Sequence, residues 1–166
     1  MKRSDVLFLS FLRQDARQTL TNISRKTRIP ISTLYDKLKQ QEHTWILKHT
    51  TLIDFAKLGY NCRAKIILSV IKEDKERVRN FLKEHASINS LYKINNGYDF
   101  MVEGIFENVK LLEAFLDQLD SEFGITEKKV FYVIEDIKRE CFLSKPEYLQ
   151  LLCQDQDLNP GVHARA

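Results

Sequence analysis

Positively charged and hydrogen-bonding side chains are concentrated in one short stretch of this chain, between residues 25 and 39. Lysine and arginine bind phosphate oxygens, and the cations of this stretch are Arg25, Lys26, Arg28, Lys37 and Lys39. Groups that can hydrogen-bond to base edges lie among them, namely Ser32, Thr33, Tyr35 and Asp36. This combination predicts a surface that binds double-stranded DNA.

The apolar spacing around this stretch predicts two short helices joined by a tight bend. Thr19 is a favourable N-cap for the first helix, and Pro30 is suited to open the second. Leu34 and Leu38 lie one turn apart and share the buried side, so we assign Lys37 and its polar neighbours to the outer side. Such an outer side is typical of a recognition helix that enters a major groove. On the pattern alone, a helical hairpin with a solvated charged face explains the stretch equally well.

The segments on either side complete a small DNA-binding domain. Residues 5–13 predict a preceding amphipathic helix. Residues 44–53 are rich in β-branched and aromatic side chains with a Lys-His-Thr break, which predicts a two-stranded wing. Lys48 and His49 at its tip would reach phosphate or a minor groove. We therefore expect a winged helix-turn-helix over residues 1–53.

Charge is divided unevenly along the chain. Residues 1–60 carry 11 basic and 5 acidic side chains, a net charge of +6, whereas the remainder carries 15 basic and 18 acidic ones, a net charge of −3. This division indicates a module that faces a polyanion, joined to a module with different partners.

The second module follows a connector at residues 54–61. The predicted elements of residues 62–143 have the order βαββαβ, the ferredoxin-like arrangement. Asn96 and Gly97 form the hairpin turn between the two middle strands, because both residue types tolerate positive φ. Residues 144–166 are a C-terminal extension. The predicted fold class is therefore α+β: an N-terminal winged helix-turn-helix followed by a ferredoxin-like domain.

Both faces of the predicted sheet carry apolar side chains, although the two helices can cover only one. One set is Ala64, Ile66, Leu68 and Val70, and the other includes Ile67, Ile71, Met101, Ile105, Phe131 and Val133. An uncovered apolar face of this size would aggregate or pair. We therefore expect a homodimer through the sheets of this domain.

Several other classes of protein are disfavoured by the composition. The three cysteines are widely spaced and form no Cys-x-x-Cys pair, and the four histidines are scattered, so neither a metal site nor a cofactor site is indicated. No Ser-His-Asp or phosphate-loop spacing indicates a catalytic residue. No apolar run is long enough to span a bilayer and no signal segment is evident, so we expect a cytoplasmic protein.

Residues spread through both modules match one known pattern in order and spacing. They are Asp5, Leu9, Leu12 and Asp15-Ala16-Arg17 in the first helix and its exit, Thr19, Ile23, Ser24, Ile29, Leu34, Lys37, Leu38, Lys39 and Glu42 in the helix-turn-helix, Ile46-Leu47 at the wing, Asp54 and Leu58-Gly59-Tyr60 in the connector, and Tyr98-Asp99-Phe100 and Gly124-Ile125 in the second module. From residue 4 to about residue 140, the chain resembles the Lrp/AsnC family of prokaryotic transcription regulators.

The resemblance implies a regulator that binds pseudo-palindromic DNA as a dimer. Family members often form octamers, which this sequence neither supports nor denies. They bind an amino acid between subunits, which makes the turn at Asn96, Gly97, Tyr98 and Asp99 the expected effector site. Asp99 would accept an α-amino group there, although a hairpin turn with a capping aspartate is the simpler interpretation of the same residues.

The sequence departs from the family pattern at positions that matter. Arg28 stands at the bend where the family usually has glycine, so that turn must be strained or altered. Lys128 and Val130 replace threonines near the effector position. DNA binding therefore carries over better than amino-acid sensing.

Two alternative functions stay open on the same architecture. One is an architectural protein that coats DNA with little sequence preference. The other is an enzyme, because siroheme decarboxylases share an Lrp/AsnC-like fold and fold alone does not fix function. We expect a regulator and not an enzyme, because no His-rich or His-Tyr cluster lies near the turn at Tyr98.

Overall fold

The computed structural model of the protein describes residues 3–148, and the expected extension beyond Tyr148 lies outside this range. The chain divides into two compact units. One unit contains the chain up to Thr51 together with the segment that begins at Ile137, and the other is Leu52–Asp136.

The first unit contains three helices: α1 (Arg3–Gln14), α2 (Leu20–Thr27) and α3 (Ile31–Glu42). Phe8, Ile23 and Leu34, one from each helix, are fully buried and form its core. Thr19 is the N-cap of α2, as predicted, and its hydroxyl accepts a hydrogen bond of 3.2 Å from the backbone N–H of Asn22. Three helices with this core support the expected helix-turn-helix.

The expected two-stranded wing is not formed. Residues 46–53 belong to no strand, and within the described chain the strands make one four-stranded sheet elsewhere. The backbone N–H groups of Thr44, Trp45 and Ile46 all donate to the carbonyl of Gln41, which holds the start of the segment at the end of α3. The Lys-His break also lacks the glycine or asparagine that a two-residue hairpin requires for positive φ.

The expected domain boundary at residue 143 also differs from the structure. The last strand ends at Tyr132, and the segment from Ile137 groups with the helical unit. Arg13 of α1 holds this segment, because its guanidinium donates to the carbonyls of Phe142 at 3.1 Å and Glu140 at 3.0 Å.

The second unit contains β1 (Cys62–Val70), α4 (Lys75–Glu84), β2 (Ile88–Lys93), β3 (Phe100–Phe106), α5 (Val109–Glu122) and β4 (Ile125–Tyr132). The sheet order is β2-β3-β1-β4, and every neighbouring pair is antiparallel. This is the βαββαβ arrangement that the sequence predicts.

Alternation along β1 places one face of the sheet against both helices. Ala64, Ile66 and Leu68 are fully buried in a core that includes Val78 and Leu82 of α4 and four residues of α5, Leu112, Phe115, Leu116 and Leu119. The first predicted apolar set is therefore the helix-covered face of the sheet.

The opposite face of the sheet is only partly apolar. Ile67 and Met101 pair across β1 and β3, and Phe131 is 53% exposed. Beside them lies the buried carboxylate of Glu103, which accepts hydrogen bonds from Asn89 at 2.8 Å and Ser90 at 3.2 Å. Arg63 and Lys65 neutralise it from β1 at 3.5 and 3.4 Å. This face therefore combines apolar side chains with an ion network.

None of the helices in residues 3–148 has the length and apolar content needed to cross a bilayer.

Candidate DNA-binding surface and effector turn

The bend between α2 and α3 adopts a conformation that favours glycine, yet it carries an arginine. Arg28 has φ 60° and ψ 21°, and its backbone N–H donates to the Ser24 carbonyl at 2.8 Å. The Ser24 hydroxyl donates to the Ile29 carbonyl at 2.6 Å and fixes the exit of the bend. A left-handed residue with a Cβ costs roughly 1–2 kcal/mol, so the hydrogen bonds hold Arg28 in a strained position. Its side chain is exposed.

Two further predicted cations lie in the last turn of α2. Arg25 and Lys26 are exposed, and the Lys26 ammonium lies 5.4 Å from the centroid of the Phe11 ring. Positive charge at a helix C-terminus is favourable, because the last carbonyls carry partial negative charge. Together with Arg28, these residues form one exposed cationic end of α2.

The outer side of α3 carries most of the predicted base-reading groups. Ser32, Thr33 and Asp36 are exposed, Tyr35 is 57% exposed, and Lys39 is exposed one turn further on. No fully buried residue interrupts this side, because Leu34 and Gln41 face inward. The helix therefore offers a polar surface that a duplex can contact.

Lys37 does not lie on the outer side of α3, contrary to the expectation from sequence. Its side chain is 17% exposed, and its ammonium contacts the carboxylate of Asp5 and, at 3.2 Å, the hydroxyl of Ser4 on α1. The spacing explains this placement, since residues 34, 37, 38 and 41 recur at helical period and share one face. The i, i+3, i+4, i+7 pattern was the signal in the sequence for this inward role.

Lys48 and His49 lie in the extended segment after α3 and not at the tip of a hairpin. Both are exposed, and the His49 imidazole lies 3.1 Å from the Glu42 carboxylate. Because no wing is formed in the structure, their predicted contact with phosphate or a minor groove has no hairpin to support it.

The predicted effector turn connects β2 and β3 and is tightly held. Asn96 and Gly97 have φ 63° and 88°, so both occupy the left-handed region for which the sequence suggested them. The hydroxyl of Ser69 donates to the Gly97 carbonyl at 2.7 Å. The Asp99 backbone N–H donates to the Leu68 carbonyl at 2.8 Å, which ties the turn to β1.

The Asp99 carboxylate is engaged inside the unit. It accepts a hydrogen bond from the Val70 backbone N–H at 2.9 Å and forms an ion pair with Lys75. Burial would raise the pKa of Asp99, but the bonds from Lys75 and Val70 outweigh burial and lower the pKa below its usual value. This geometry matches the simpler interpretation of Asp99 as a capping residue.

Tyr98 joins the turn to the edge strand β4. Its hydroxyl donates to the Glu127 carboxylate at 2.7 Å, and the Lys129 ammonium lies 4.9 Å from its ring centroid. The bond from Tyr98, followed by that from Lys129, lowers the pKa of Glu127. Sequence reasoning missed Lys75, Glu127 and Lys129, because only the strand pairing and the fold of α4 bring them to the turn.

A helix-turn-helix with an exposed polar helix, followed by a ferredoxin-like domain with a tight turn, is an arrangement that fits two-domain DNA-binding regulators. Comparison with known proteins specifies the class. Residues 64–141 match the family model described as the Lrp/AsnC ligand binding domain.

Relatives and solved structures extend this similarity to most of the chain. HTH-type transcriptional regulator FL11 of Pyrococcus furiosus is 27% identical over 122 residues, which cover 73% of this chain and 81% of FL11. The structure of a Neisseria meningitidis transcriptional regulator in complex with L-Met has a TM-score of 0.78 at 20% identity and covers 84% of this chain and 93% of that one. LrpC of B. subtilis has a TM-score of 0.75 at 19% identity, with coverages of 83% and 97%.

Residues 64–141 therefore match the Lrp/AsnC family, and the relatives that are similar over most of the chain are transcription regulators. The predicted resemblance, the α+β fold class without its wing, and the assignment as a regulator and not an enzyme are therefore confirmed. Regulators of this type bind DNA and amino-acid effectors.

Proposed function

We propose that the protein regulates transcription by binding duplex DNA with the outer side of α3 and the cationic end of α2. The observation that carries this proposal is the exposed polar side of α3, which lies directly after three exposed cations. Arg25, Lys26, Arg28 and Lys39 supply phosphate contacts. Ser32, Thr33, Tyr35 and Asp36 contact base edges.

Binding to two duplexes tests this assignment. One is a random-sequence duplex, and the other is a duplex that the wild-type protein selects from a randomised pool. Fluorescence anisotropy at several salt concentrations should show a negative slope of log K against log[salt], because phosphate binding releases counterions. Replacement of Tyr35 by alanine should weaken binding to the selected duplex more than to the random one. Failure to select any duplex from the pool, together with absence of binding to the random duplex at low salt, would refute the proposal.

The same experiment separates a specific regulator from an architectural protein. A specific regulator binds its selected duplex at least about a thousandfold more tightly than random DNA, which is the lower end for specific proteins. An architectural protein would show nearly equal affinities. The exposed hydrogen-bonding groups on α3 favour a sequence-specific regulator over an architectural protein. A regulator of this kind acts on chromosomal DNA, which agrees with the cytoplasmic location expected from the sequence.

We propose that two copies pair through the sheet face that the helices leave uncovered. Ile67 and Met101 lie side by side on this face, and Phe131 is 53% exposed there. A helix-turn-helix dimer contacts two successive major grooves, about 34 Å apart, with one recognition helix from each copy. Light scattering should give a dimer or a higher even-numbered oligomer such as an octamer, and Phe131→Lys should shift the mass towards the monomer. The matched control Phe142→Lys changes an exposed phenylalanine outside the sheet and should leave the mass unchanged.

An amino-acid effector is the second proposed ligand, at the turn formed by Asn96, Gly97, Tyr98 and Asp99. The L-Met complex of the similar Neisseria regulator supports this class of ligand. The Asp99 side chain is 19% exposed and held by Val70 and Lys75, whereas those of Glu127 and Lys129 beside Tyr98 are about half exposed, so we assign the recognition of a charged group to these two. Calorimetry against the twenty amino acids tests the proposal. Tyr98→Phe should weaken any binding observed, whereas Tyr92→Phe on β2 should not.

A further inference from the structure

The inner side of the recognition helix is not purely apolar, because one of its four inward positions is a lysine. Leu34 is fully buried, Leu38 is partly buried in the same cluster, and Gln41 is 2% exposed. Lys37 completes this stripe with a side chain that is 17% exposed. A charge at a position of this kind needs a partner, since an unpaired charge away from water is costly.

Within residues 3–148, the recorded contacts of the Lys37 ammonium belong to one place on another helix. Its ammonium contacts the Asp5 carboxylate, whose side chain is 14% exposed, and the Ser4 hydroxyl at 3.2 Å. Asp5 and Ser4 lie in the first turn of α1. The contact therefore joins the middle of α3 to the beginning of α1.

Lys39 provides the contrast on the same helix. It is exposed, and two residues along a helix separate its direction from that of Lys37 by about 200°. Both residues are lysines within one turn of α3, but only one of them faces outward. The identity of the residue does not distinguish them, whereas their positions on the helix do.

We infer that Lys37 is a positioning residue for sequence recognition and not a phosphate contact, an inference that rests on the proposed function. The ion pair and hydrogen bond fix the rotation of α3 about its own axis against α1. That rotation determines which of Ser32, Thr33, Tyr35 and Asp36 face the bases. Apolar contacts through Leu34 and Leu38 are less directional than a hydrogen-bonded ion pair, so they leave this rotation less well defined.

The test compares Lys37→Met with Lys39→Met, since methionine keeps an unbranched chain and removes the charge. Lys39→Met should flatten the salt slope by about 0.9 and weaken binding to the selected and random duplexes equally. Lys37→Met should leave the slope unchanged and reduce the preference for the selected duplex by about tenfold. Lys37→Met would overturn the inference if it flattened the salt slope as Lys39→Met does, or if it kept the wild-type preference.

A charge-swapped variant protects the test against simple loss of folding. Asp5→Lys combined with Lys37→Asp restores an opposite-charge pair and should recover part of the preference that either single substitution loses. A lysine that only filled space would show no such recovery. Trp45, the single tryptophan, lies in the helical unit, so its fluorescence reports whether each variant is folded.

A measurement without DNA separates this inference from the proposed function. In amide NMR spectra, Lys37→Met should shift the resonances of Ser4 and Asp5, whereas Lys39→Met should leave them in place. If the wild-type protein selected no duplex and did not bind random DNA while these shifts occurred, the DNA-binding proposal would fail and the contact between the helices would stand. Unshifted Ser4 and Asp5 resonances would show that the contact itself does not form.

Discussion

The bend between α2 and α3 at Arg28 and the effector turn at Asn96 and Gly97 have similar backbone conformations, but the charged side chains near them have different roles. Both bends contain non-glycine residues at positive φ, since Arg28 has φ 60° and Asn96 has φ 63°. At the first bend the cationic side chains of α2 are exposed. At the second, the nearby charges are engaged by Val70, Lys75 and each other. The first bend therefore has exposed charge for a large partner, whereas the second uses the charge of Asp99 to hold its own shape.

Asp99 gives the largest expected effect, because it holds the effector turn in place. Asp99→Ala removes the acceptor of the Val70 N–H and the partner of Lys75. We expect a loss of about 2–3 kcal/mol in the free energy of unfolding of the second unit, since hydrogen bonds to charged groups are among the stronger ones. Hydrogen exchange of the β1 and β3 amides measures this loss. Asp99→Asn, which can still accept from Val70, should lose less, and equal losses would show that Lys75 alone matters.

Replacement of Glu103 tests whether a paired carboxylate on the sheet face stabilises the folded protein. Burial would raise the pKa of the Glu103 carboxyl. Hydrogen bonds from Asn89 and Ser90 and the charges of Lys65 and Arg63 outweigh burial and lower this pKa.

Because the pKa of Glu103 in the folded protein lies below its unfolded value, its contribution to stability is present above the unfolded pKa and is lost as pH falls through the folded pKa. Glu103→Gln should therefore lose less stability than the wild type between pH 7 and pH 3, by about 1 kcal/mol. Urea unfolding followed by circular dichroism at both pH values measures the difference. Identical pH dependence in the two proteins would mean that the network gives Glu103 no net stabilisation. Glu107→Gln, at an exposed carboxylate, is the matched control.

The sequence predicted the elements well because their signals are local. Asn108 and Thr19 cap their helices as their residue types suggest, and alternation along β1 marks the buried face. The partners of each charge were not predictable in the same way. Lys75 reaches Asp99 only after the sheet and α4 are assembled, because the two residues are far apart along the chain. Lys37 was predicted incorrectly to face outward, although residues 34, 37, 38 and 41 share one face of a helix.

The wing was predicted incorrectly for a related reason. β-branched and aromatic residues favour strands, but a strand needs a partner, and propensity does not supply one. The segment from Ile46 to Ile53 has the composition of a strand and no ladder within the described chain.

Arg28 gives an effect on stability as small as that of Glu103 but a more informative one, because its strain and its charge can be separated. Arg28→Gly relieves the left-handed backbone and should stabilise the helical unit by about 1 kcal/mol, measured by urea unfolding with Trp45 fluorescence. The same change removes a cation, so the slope of log K against log[salt] on random DNA should flatten by about 0.9. Arg25→Gly removes an equal charge from the helix itself and should instead destabilise the unit by about 1 kcal/mol.

Opposite signs in stability, with similar losses in salt dependence, would show that the bend retains arginine for binding and not for folding. If Arg28→Gly stabilised the unit and left the salt slope unchanged, the exposed guanidinium would not be a phosphate contact. The DNA-binding surface would then be confined to α3 and to the last turn of α2.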